Sequence, residues 1–516
     1  MDAAAQQAGL QSLLSLVDEI LLCVIEQIDS SQSLRCLAAT CSKLQGLTEP
    51  FIWRKLLVTQ GKHAYNIAQA LTSREKRLSY VQDLSICYVQ EHETGIEYLN
   101  APLYRMDKLR HLTVESPCPN NNPWRGNEVS FINYCRIDYT ALIKASGNPR
   151  KPLPVLPMLQ SMTLHGHGRG DTRFKFGLNA LIFLHPTLRR LAISCSNFES
   201  NFSMADIPPN KLKSTPLQSL TFIECNIYLD LLEVVLSLPR ALKELSIGER
   251  LYVFVLCSPS GAPRTTDTRF LDILQKQADS LERLTHIGGT RCSLFEYDSR
   301  GSAKLRNLRN LQHLELGLES HLCKYLDQHG CPDSLKTLKL SDQSWTCARD
   351  SSYSQHFTRV MRNARLLVQK TSKAFELDIC AAHNSLTHCC PLDRIPTLWR
   401  LHAFRKPVYE IGAVLKARGS RFRIFGQTFR DQVTYIPPYL HGEDRPIEVL
   451  MYDSNEVWIF NGRNFQIVDD ETLGKTDHLD NEALQLPVAF SDEDFESAIA
   501  EAIAELHSGV GYALQG

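Results

Sequence analysis

The densest group of residues that could do chemistry lies between positions 380 and 390. Cys380, His383, His388, Cys389 and Cys390 fall within this short stretch, and thiolates with imidazoles are ligands that suit zinc. Their spacing matches no standard zinc finger, and two adjacent cysteines do not easily bind one ion. We therefore predict that no metal is bound here and that the protein uses no cofactor.

Two glycine-containing segments match phosphate-binding motifs only in part. Residues 166–170 lack the third glycine of the dinucleotide motif, and Asp469 stands where a phosphate loop ending in Gly474-Lys475-Thr476 needs its first glycine. No Gly-x-Ser-x-Gly nucleophile motif occurs in the sequence. The sequence thus predicts a protein that is not an enzyme, with a cryptic catalytic site as an alternative.

A recurring apolar pattern occupies most of the chain. Copies of Leu-x-x-Leu-x-Leu, with close variants, start at Val81, Leu109, Leu159, Leu188, Leu217, Leu242, Leu311 and Leu335, and weaker copies start at Leu281, Ala374 and Leu398. Most copies are about 24 to 30 residues apart, which is the period of leucine-rich repeats. Each copy predicts a short strand with its leucines inward. No single copy can bury its apolar side alone, so the copies must stack into a solenoid.

The polar residues of each copy are expected on the concave surface of that solenoid. Cations at the second, third and fifth positions are Arg110, Arg189, Arg190, Lys243, Arg283, Lys336, Lys339 and Arg400, whereas the acids there are Glu244, Glu282 and Glu315. Guanidinium groups bind carboxylate and phosphate oxygens well. The strip therefore predicts an acidic or phosphorylated protein partner. The alternative is that these charges only keep the strand surface soluble.

The first sixty residues have helical apolar spacing. Residues 10–28 place Leu13, Leu16, Val17, Ile20, Leu21, Val24, Ile25 and Ile28 on one broad stripe. A second helix is expected from about Ser33, and a third element over residues 44–57, with Pro50 starting a new helical turn. Three such short helices cannot build a deep core. Part of their apolar surface must therefore meet the rest of the chain or a partner.

This segment resembles the F-box family. The resemblance rests on residues 16–21, on residues 34–44 and on the Pro50-Phe51-Ile52-Trp53 portion, and it covers about a tenth of the chain. The family usually has Leu-Pro before its first acidic residue, and Val17 occupies the proline position here. With irregular repeats behind this segment, the chain resembles the F-box and leucine-rich-repeat proteins of fungi.

The resemblance implies a function and a set of contacts. F-box domains dock on a small Skp-type adaptor, which links them to a cullin scaffold and a ubiquitin-conjugating enzyme. The chain would then be the substrate-recognition subunit of a cullin-type (SCF) ubiquitin ligase, with the repeats binding a protein substrate. The implied adaptor-binding residues are Leu16, Val17, Glu19, Ile20, Leu21, Ile28, Leu34, Leu37 and Trp53. The alternative is a leucine-rich-repeat scaffold without a ligase role, in which the helices only cap the solenoid.

The domain organisation follows from these patterns. We predict an α/β solenoid: a three-helix F-box-like module, an irregular leucine-rich-repeat horseshoe and a small C-terminal β/helix cap. The boundaries are a flexible N-terminus (1–8), the F-box-like module (9–60), a linker helix (61–80), the solenoid (81–430) and a C-terminal β-hairpin and helix extension (431–516). Within the last parts, we expect a helix over 409–418, strands over 422–425, 447–452, 456–460 and 465–468, and a helix over 491–506.

Composition argues against several classes of protein. The formal net charge of −1 at pH 7 removes any global argument for nucleic-acid binding. No run of about 18 apolar residues occurs, so no membrane span is expected. The first ten residues have neither a basic segment nor a long apolar core, so we expect no secretory signal. The 16 cysteines are then expected as reduced thiols in the cytoplasm or nucleus.

Overall fold

The computed structural model describes most of the chain between residues 13 and 467. The described residues are 13–88, 92–115, 136–146, 155–165, 174–175, 177–194, 196–198, 204, 207, 209–249, 267–288, 302–317, 320, 322–323, 325–326, 330–341, 353–371, 373–382, 402–428, 447–456, 458–460 and 465–467. The predicted flexible N-terminus, the helix over 491–506, the two glycine-containing segments and all but Cys380 of the Cys/His group lie outside these residues.

Strands dominate the architecture. They are β1 (Lys55–Val58), β2 (Asp83–Cys87), β3 (His111–Glu115), β4 (Ser161–His165), β5 (Phe174–Lys175), β6 (Arg190–Ser194), β7 (Ser196–Phe198), β8 (Ser219–Ile227), β9 (Glu244–Glu249), β10 (Arg283–Ile287), β11 (His313–Leu316), β12 (Thr337–Ser341), β13 (Glu376–Ala382), β14 (Phe422–Thr428), β15 (Ile447–Asp453), β16 (Trp458–Phe460) and β17 (Phe465–Ile467). In the described part of the chain, thirteen of them lie side by side in one sheet, in chain order with β5 and β7 left aside. Every neighbouring pair along this path is parallel except β14 with β15.

Helices fill many of the connections between the strands, because parallel strands need a crossover rather than a tight hairpin. They are α1 (Asp18–Glu26), α2 (Ser31–Ala38), α3 (Ser42–Ile52), α4 (Gly61–Ser73), α5 (Asn100–Leu103), α6 (Tyr139–Ser146), α7 (Leu229–Ser237), α8 (Asp267–Gln275), α9 (Ser302–Arg306), α10 (Tyr353–Lys370) and α11 (His402–Ala417), with 3₁₀ turns at Leu13–Ser15, Glu75–Tyr80, Ile96–Leu99, Gly177–Leu184 and Pro209–Lys211. The result is an α/β, solenoid-like arrangement, as the repeated pattern predicts.

The strand register explains why the copies stack. The second leucine of each copy pairs with its counterpart on the next strand, which builds one continuous apolar column across the sheet. Its members are Leu84, Leu112, Met162, Leu191, Leu220, Leu245, Leu284, Leu314, Leu338 and Leu377. All of these side chains are buried. Each strand therefore completes the core of its neighbour, which stabilises the stack chiefly through apolar burial.

One core position departs from the pattern. His286 stands where the weaker copy at Leu281 should have its third leucine, and its side chain is buried. Its Nδ1 lies 2.7 Å from the hydroxyl of Ser320, and its Nε2 lies 3.9 Å from a carboxylate oxygen of Glu249. A buried imidazole needs such polar neighbours. The strand β10 forms in spite of this residue.

The sheet begins earlier than the sequence predicts. The third helical element is predicted to extend to residue 57, but residues 55–57 belong to strand β1, which pairs in parallel with β2 through Leu56 and Leu84. Val58 is buried. The predicted linker helix over 61–80 contains α4 and the following 3₁₀ turn, and Leu71 and Leu78 of these elements are buried in the common core. The helix α3 begins at Ser42, so Pro50 lies inside it rather than at a new start.

The other end of the sheet also differs in part from the prediction. The expected helix ending before Gly419 is confirmed as α11, and Gly419 has the left-handed backbone (φ 72°) that glycine adopts without strain. However, α11 begins at His402, so the weak copy predicted from Leu398 does not end as a strand. The strand β15 joins the main sheet antiparallel to β14, and only β16 and β17 form a separate pair.

A close backbone contact holds α4 in place and gives a stability prediction. A Cβ atom on Gly61, the first residue of α4, would lie 1.7 Å from the carbonyl oxygen of Thr94. Replacing Gly61 by alanine must therefore displace backbone, and we expect it to lower the free energy of unfolding by about 2–3 kcal/mol. Urea unfolding measures this loss.

The matched control is Gly46, in the middle of α3. A Cβ there meets no atom within 4 Å. Gly46→Ala is expected to raise stability by about 0.5–1 kcal/mol, because alanine favours a helix more than glycine does. Equal effects of the two substitutions would contradict the contact between Gly61 and Thr94.

Candidate functional site

The helix α1 has two apolar sides, of which the protein covers only one. Leu21 and Ile25 point inward and are each about 1% exposed. The outward side, with the turn before it, is formed by Leu13, Leu14, Leu16, Val17, Ile20 and Val24, whose exposed fractions run from 36% to 61%. We call these six residues the apolar ridge. An exposed apolar surface of this kind is a candidate site for contact with another protein.

The apolar ridge is fixed to the rest of the helical module by Lys43 of α3. Its ammonium group donates to the backbone oxygens of Leu14 and Leu16 at 3.3 and 3.4 Å, and it pairs with the carboxylate of Asp18 at 3.0 Å. Lys43 thus joins α3 both to the turn before α1 and to the first residue of α1. These contacts connect the ridge to α3 although its own side chains are exposed.

The backbone at Val17 is compatible with the proline that the F-box family usually has there. Val17 is the residue that precedes α1, with φ −66° and ψ 152°. Proline fixes φ near −65°, so the valine keeps the φ that the proline would impose. At position 17 the chain therefore differs from the F-box pattern in its side chain, whereas its backbone φ is the one that proline would have.

Several predicted adaptor-binding residues do not lie on the apolar ridge. Leu16, Val17, Glu19 and Ile20 are exposed, as a docking role requires, but Leu21 and Leu34 are buried. Ile28 and Leu37 are half-buried. The expectation that all of them face a partner is wrong for Leu21 and Leu34, because three short helices need these side chains for their own small core.

Trp53, which is also predicted to bind the adaptor, is half-buried against the protein's own core. It packs against the hydrophobic core, and the guanidinium of Arg77 lies 4.9 Å from its ring centroid. Beside it, buried Glu49 of α3 accepts hydrogen bonds from Arg74 and Arg77 at 2.7–2.9 Å. Burial opposes the charge of Glu49, yet these bonds hold the pKa of its carboxyl below the usual value. Glu49 and Trp53 therefore connect the N-terminal helices to the segment that leads into β2.

The second candidate surface is the row of polar residues on the strands, and much of its charge is already neutralised. Lys243 pairs with Glu282 at 2.8 Å, and Arg283 lies 3.9 Å from Glu244. Lys339 pairs with Glu448 of β15 at 2.7 Å and with Glu315 at 3.5 Å. Three of the predicted substrate-binding cations, Lys243, Arg283 and Lys339, are therefore engaged within the chain.

The remaining predicted cations are more open. Arg110, Arg189, Arg190 and Lys336 are exposed, and no acidic side chain pairs with any of them among the described residues. Arg400 lies outside those residues. The strip predicted as one basic surface is thus divided into paired and unpaired cations.

Glu244, Glu282 and Glu315 of the strip produce most of this division, and Glu448, Glu376 and Asp378 are acids that the sequence does not predict on this surface. On adjacent strands, Glu315, Lys339, Asp378 and Arg423 occupy one register position and form an alternating ladder of charges. Arg423 pairs with Asp378 at 2.7 Å and with Glu376 at 3.3 Å. Glu376 and Asp378 belong to the weak copy at Ala374. Asp378 is the fifth residue of that copy, so a list of surface charges that included the weak copies would contain it.

A buried polar row lies one residue beyond the last inward position of four strands. Cys87, Glu115, His165 and Ser194 occupy one register position on β2, β3, β4 and β6. His165 Nδ1 and Ser194 Oγ are 2.5 Å apart. Burial raises the pKa of Cys87 to about 12, so its sulfur stays a neutral thiol and a poor nucleophile. The row was not predicted, because its residue types differ from strand to strand.

Glu115 gives this row a pH dependence. Burial raises the pKa of its carboxyl to about 7, against the opposing hydrogen bond with Cys87. The unfolded chain releases this proton near pH 4.5, so stability from the neutral carboxyl is present below that pH and is lost as pH rises to about 7.

Glu115→Gln keeps the group neutral at every pH. We expect little change in unfolding free energy at pH 5 and a gain of up to about 3 kcal/mol at pH 8. Denaturant titrations of the wild type and the variant at both pH values measure this difference in unfolding free energy. A stabilisation of equal size at pH 5 and pH 8 would contradict the raised pKa.

Within the described segments, no group of three or more His, Cys, Asp and Glu side chains is placed to hold a metal ion. No helix there is both long and apolar enough to cross a membrane. No protein-family model matches the chain, and no curated protein matches it.

Proposed function

We propose that this protein is the substrate-recognition subunit of a cullin-type (SCF) ubiquitin ligase. In this proposal, the three N-terminal helices are an F-box module whose apolar ridge docks on a Skp-type adaptor. The strands are irregular leucine-rich repeats in a horseshoe, and their polar surface binds a protein substrate. The exposed ridge, held rigidly ahead of a solenoid-like sheet, is the observation that supports the proposal most.

The proposed mechanism is proximity. The adaptor and the cullin bring a ubiquitin-loaded conjugating enzyme near the substrate that the repeats hold. An acceptor lysine held close to the loaded enzyme has a high effective concentration, which speeds transfer without bond chemistry by the receptor. The contacts of Glu49 and Trp53 with the first repeat support this mechanism, because a rigid joint keeps the distance between the two surfaces constant. The proposed compartment is the cytoplasm or the nucleus.

The test is co-purification. The full chain is expressed with and without a Skp-type adaptor, and size-exclusion chromatography follows their association. We expect a one-to-one complex that elutes together and a chain that is less soluble alone, because the ridge is then uncovered. Elution of the two proteins apart at micromolar concentration would contradict the proposal.

The second candidate is a leucine-rich-repeat scaffold without a ligase role. It rests on the need of a solenoid's terminal repeats for a cap, which the packing of Trp53 and Glu49 fits equally well. In that case the ridge would not bind the adaptor, and the chain would be soluble and monomeric alone. The same co-purification therefore distinguishes the two candidates.

A further inference from the structure

Lys43 makes three contacts through a single nitrogen atom. Its Nζ lies 3.3 Å from the backbone oxygen of Leu14, 3.4 Å from that of Leu16 and 3.0 Å from Oδ1 of Asp18. An ammonium group has three N–H donors, so its donors match these three acceptors in number. All three contacts therefore depend on the charge and the donors of this one nitrogen.

These contacts reach the part of the apolar ridge that precedes α1. Residues 13–17 supply four of the six ridge residues, and all their side chains are exposed. The other two, Ile20 and Val24, are on α1, whose Leu21 and Ile25 are buried. No buried side chain holds residues 13–17, so their position depends on contacts such as those of Lys43.

Lys43 is also accessible from solvent. Its side chain is 40% exposed, and that of Asp18 is 58% exposed. Exposed ion pairs of this kind are weak, so the ammonium group separates from the carboxylate at little cost. The position combines a contact that holds the ridge with access for an enzyme that modifies lysine.

We propose that Lys43 is an acylation switch, in which transfer of an acyl group to Nζ releases residues 13–17 and weakens docking of the apolar ridge. The acyl donor is a thioester such as acetyl-coenzyme A. The ammonium group loses one proton to solvent, and Nζ attacks the thioester carbonyl carbon. The carbon–sulfur bond breaks, and the sulfur leaves as a thiol with a second proton from Nζ. The amide product has no charge and one N–H donor, so at least two of the three acceptors lose their donor.

The expected consequence for docking is a loss of pre-organisation. A segment that is mobile in the free chain must become ordered when it binds, and this ordering lowers affinity. Ile20 and Val24 stay in place on α1, so we expect binding about tenfold weaker rather than abolished. The effect on docking rests on the proposed function, whereas the release of residues 13–17 does not.

The experiment compares the unmodified full chain with the same chain containing acetyl-lysine at position 43, introduced during translation. Without the adaptor, hydrogen exchange should become faster at the backbone N–H groups of Leu16 and Ile20, which donate to the oxygens of Leu13 and Val17. With a Skp-type adaptor, titration calorimetry should show the tenfold loss. Equal exchange rates in the two chains would overturn the proposal.

Variants separate the charge of Lys43 from its bulk. Lys43→Gln is neutral and should match the acetylated chain, whereas Lys43→Arg keeps the charge and should bind the adaptor almost as the wild type does. The matched control is acetyl-lysine at position 62, because Lys62 of α4 is also exposed. An equal loss of affinity at position 62, or in Lys43→Arg, would overturn the assignment to the charge of Lys43.

Access to Lys43 has its own test. Incubation of the folded chain with acetyl-coenzyme A in mildly alkaline solution, followed by peptide mapping, should modify Lys43 more than Lys339. The pairs of Lys339 with Glu448 and Glu315 are less exposed than the pair of Lys43 with Asp18. Modification of Lys339 without Lys43 would contradict the proposed access.

The two readouts separate this inference from the proposed function. Faster exchange at Leu16 in the acetylated chain, without adaptor binding by the unmodified chain, would leave the release of residues 13–17 standing and remove the ligase role. Equal adaptor affinity of the two chains would keep the ligase role and overturn the switch.

Discussion

Replacing Val17 and Ile20 together by aspartate is expected to abolish capture of a Skp-type adaptor. Both side chains are about half exposed or more in the free chain, so they can be buried in a complex. Burying a valine or isoleucine side chain contributes about 1.5–3 kcal/mol, and an aspartate there adds the cost of desolvating a charge. A loss of at least 4 kcal/mol corresponds to about a thousandfold weaker binding. Titration calorimetry with purified adaptor measures it.

Controls separate docking from folding. The double variant should keep the circular dichroism spectrum and unfolding midpoint of the wild type, because neither side chain belongs to the core. Gln32→Asp, at an exposed position of α2, should bind the adaptor normally. Val17→Pro should also bind, because the backbone φ at Val17 already suits proline. Wild-type affinity in the double aspartate variant would refute docking through the ridge.

The strands could be predicted from the sequence because each copy of the pattern shows two signals, the alternation of apolar and polar residues and the regular distance to the next copy. Alternation sets which residues face inward, and the period of the copies sets their stacking, so Leu112 and Leu191 fall into one column. The strand β1 lacks this signal, since Lys55-Leu56-Leu57-Val58 has an apolar residue at an exposed position. Only the parallel pairing with β2 shows that it belongs to the sheet.

The charges of the polar surface were less predictable than its strands. Which cations are paired depends on contacts between distant parts of the chain. Lys339 and Glu448 are 109 residues apart, and their contact requires β15 to fold back on the sheet. Similarly, helical spacing predicts one broad stripe on α1 but cannot tell which side is covered. Val17 and Leu21 differ by a single helical turn, yet one is exposed and the other buried.

The second large effect is expected at the C-terminal end of the sheet, from Asp453→Ala. The carboxylate of Asp453 is fully buried and accepts from the guanidinium of Arg421, with Nε at 3.0 and 2.9 Å from its two oxygens, and from the backbone N–H of Asn455. Burial opposes its charge, but these bonds hold the pKa of Asp453 below its usual value. The stability that Asp453 contributes is therefore present above pH 3.8, which is the pKa of an aspartate without such partners. This stability is lost as the solution is acidified.

We expect Asp453→Ala to cost about 2–3 kcal/mol, because it removes a buried acceptor from the guanidinium of Arg421 and the N–H of Asn455. The matched control is Asp333→Ala, which removes an exposed carboxylate 3.3 Å from Arg306 and should cost under about 1 kcal/mol. Stability in a stacked array depends on neighbouring units, so faster hydrogen exchange should be confined to β14 and β15. Uniformly faster exchange across the sheet would contradict this local role.

Loss of the Asp453 contacts should also change the polar surface. The strand β15 contains both Asp453 and Glu448, and Glu448 is the closer of the two acids that neutralise Lys339. When β15 detaches, Lys339 keeps only Glu315, and the C-terminal half gains positive charge. Asp453→Ala should therefore bind a cation-exchange resin more tightly than Asp333→Ala, which removes the same single charge, and its binding should depend more strongly on salt. Elution of the two variants at the same salt concentration would show that β15 does not control the charge at Lys339.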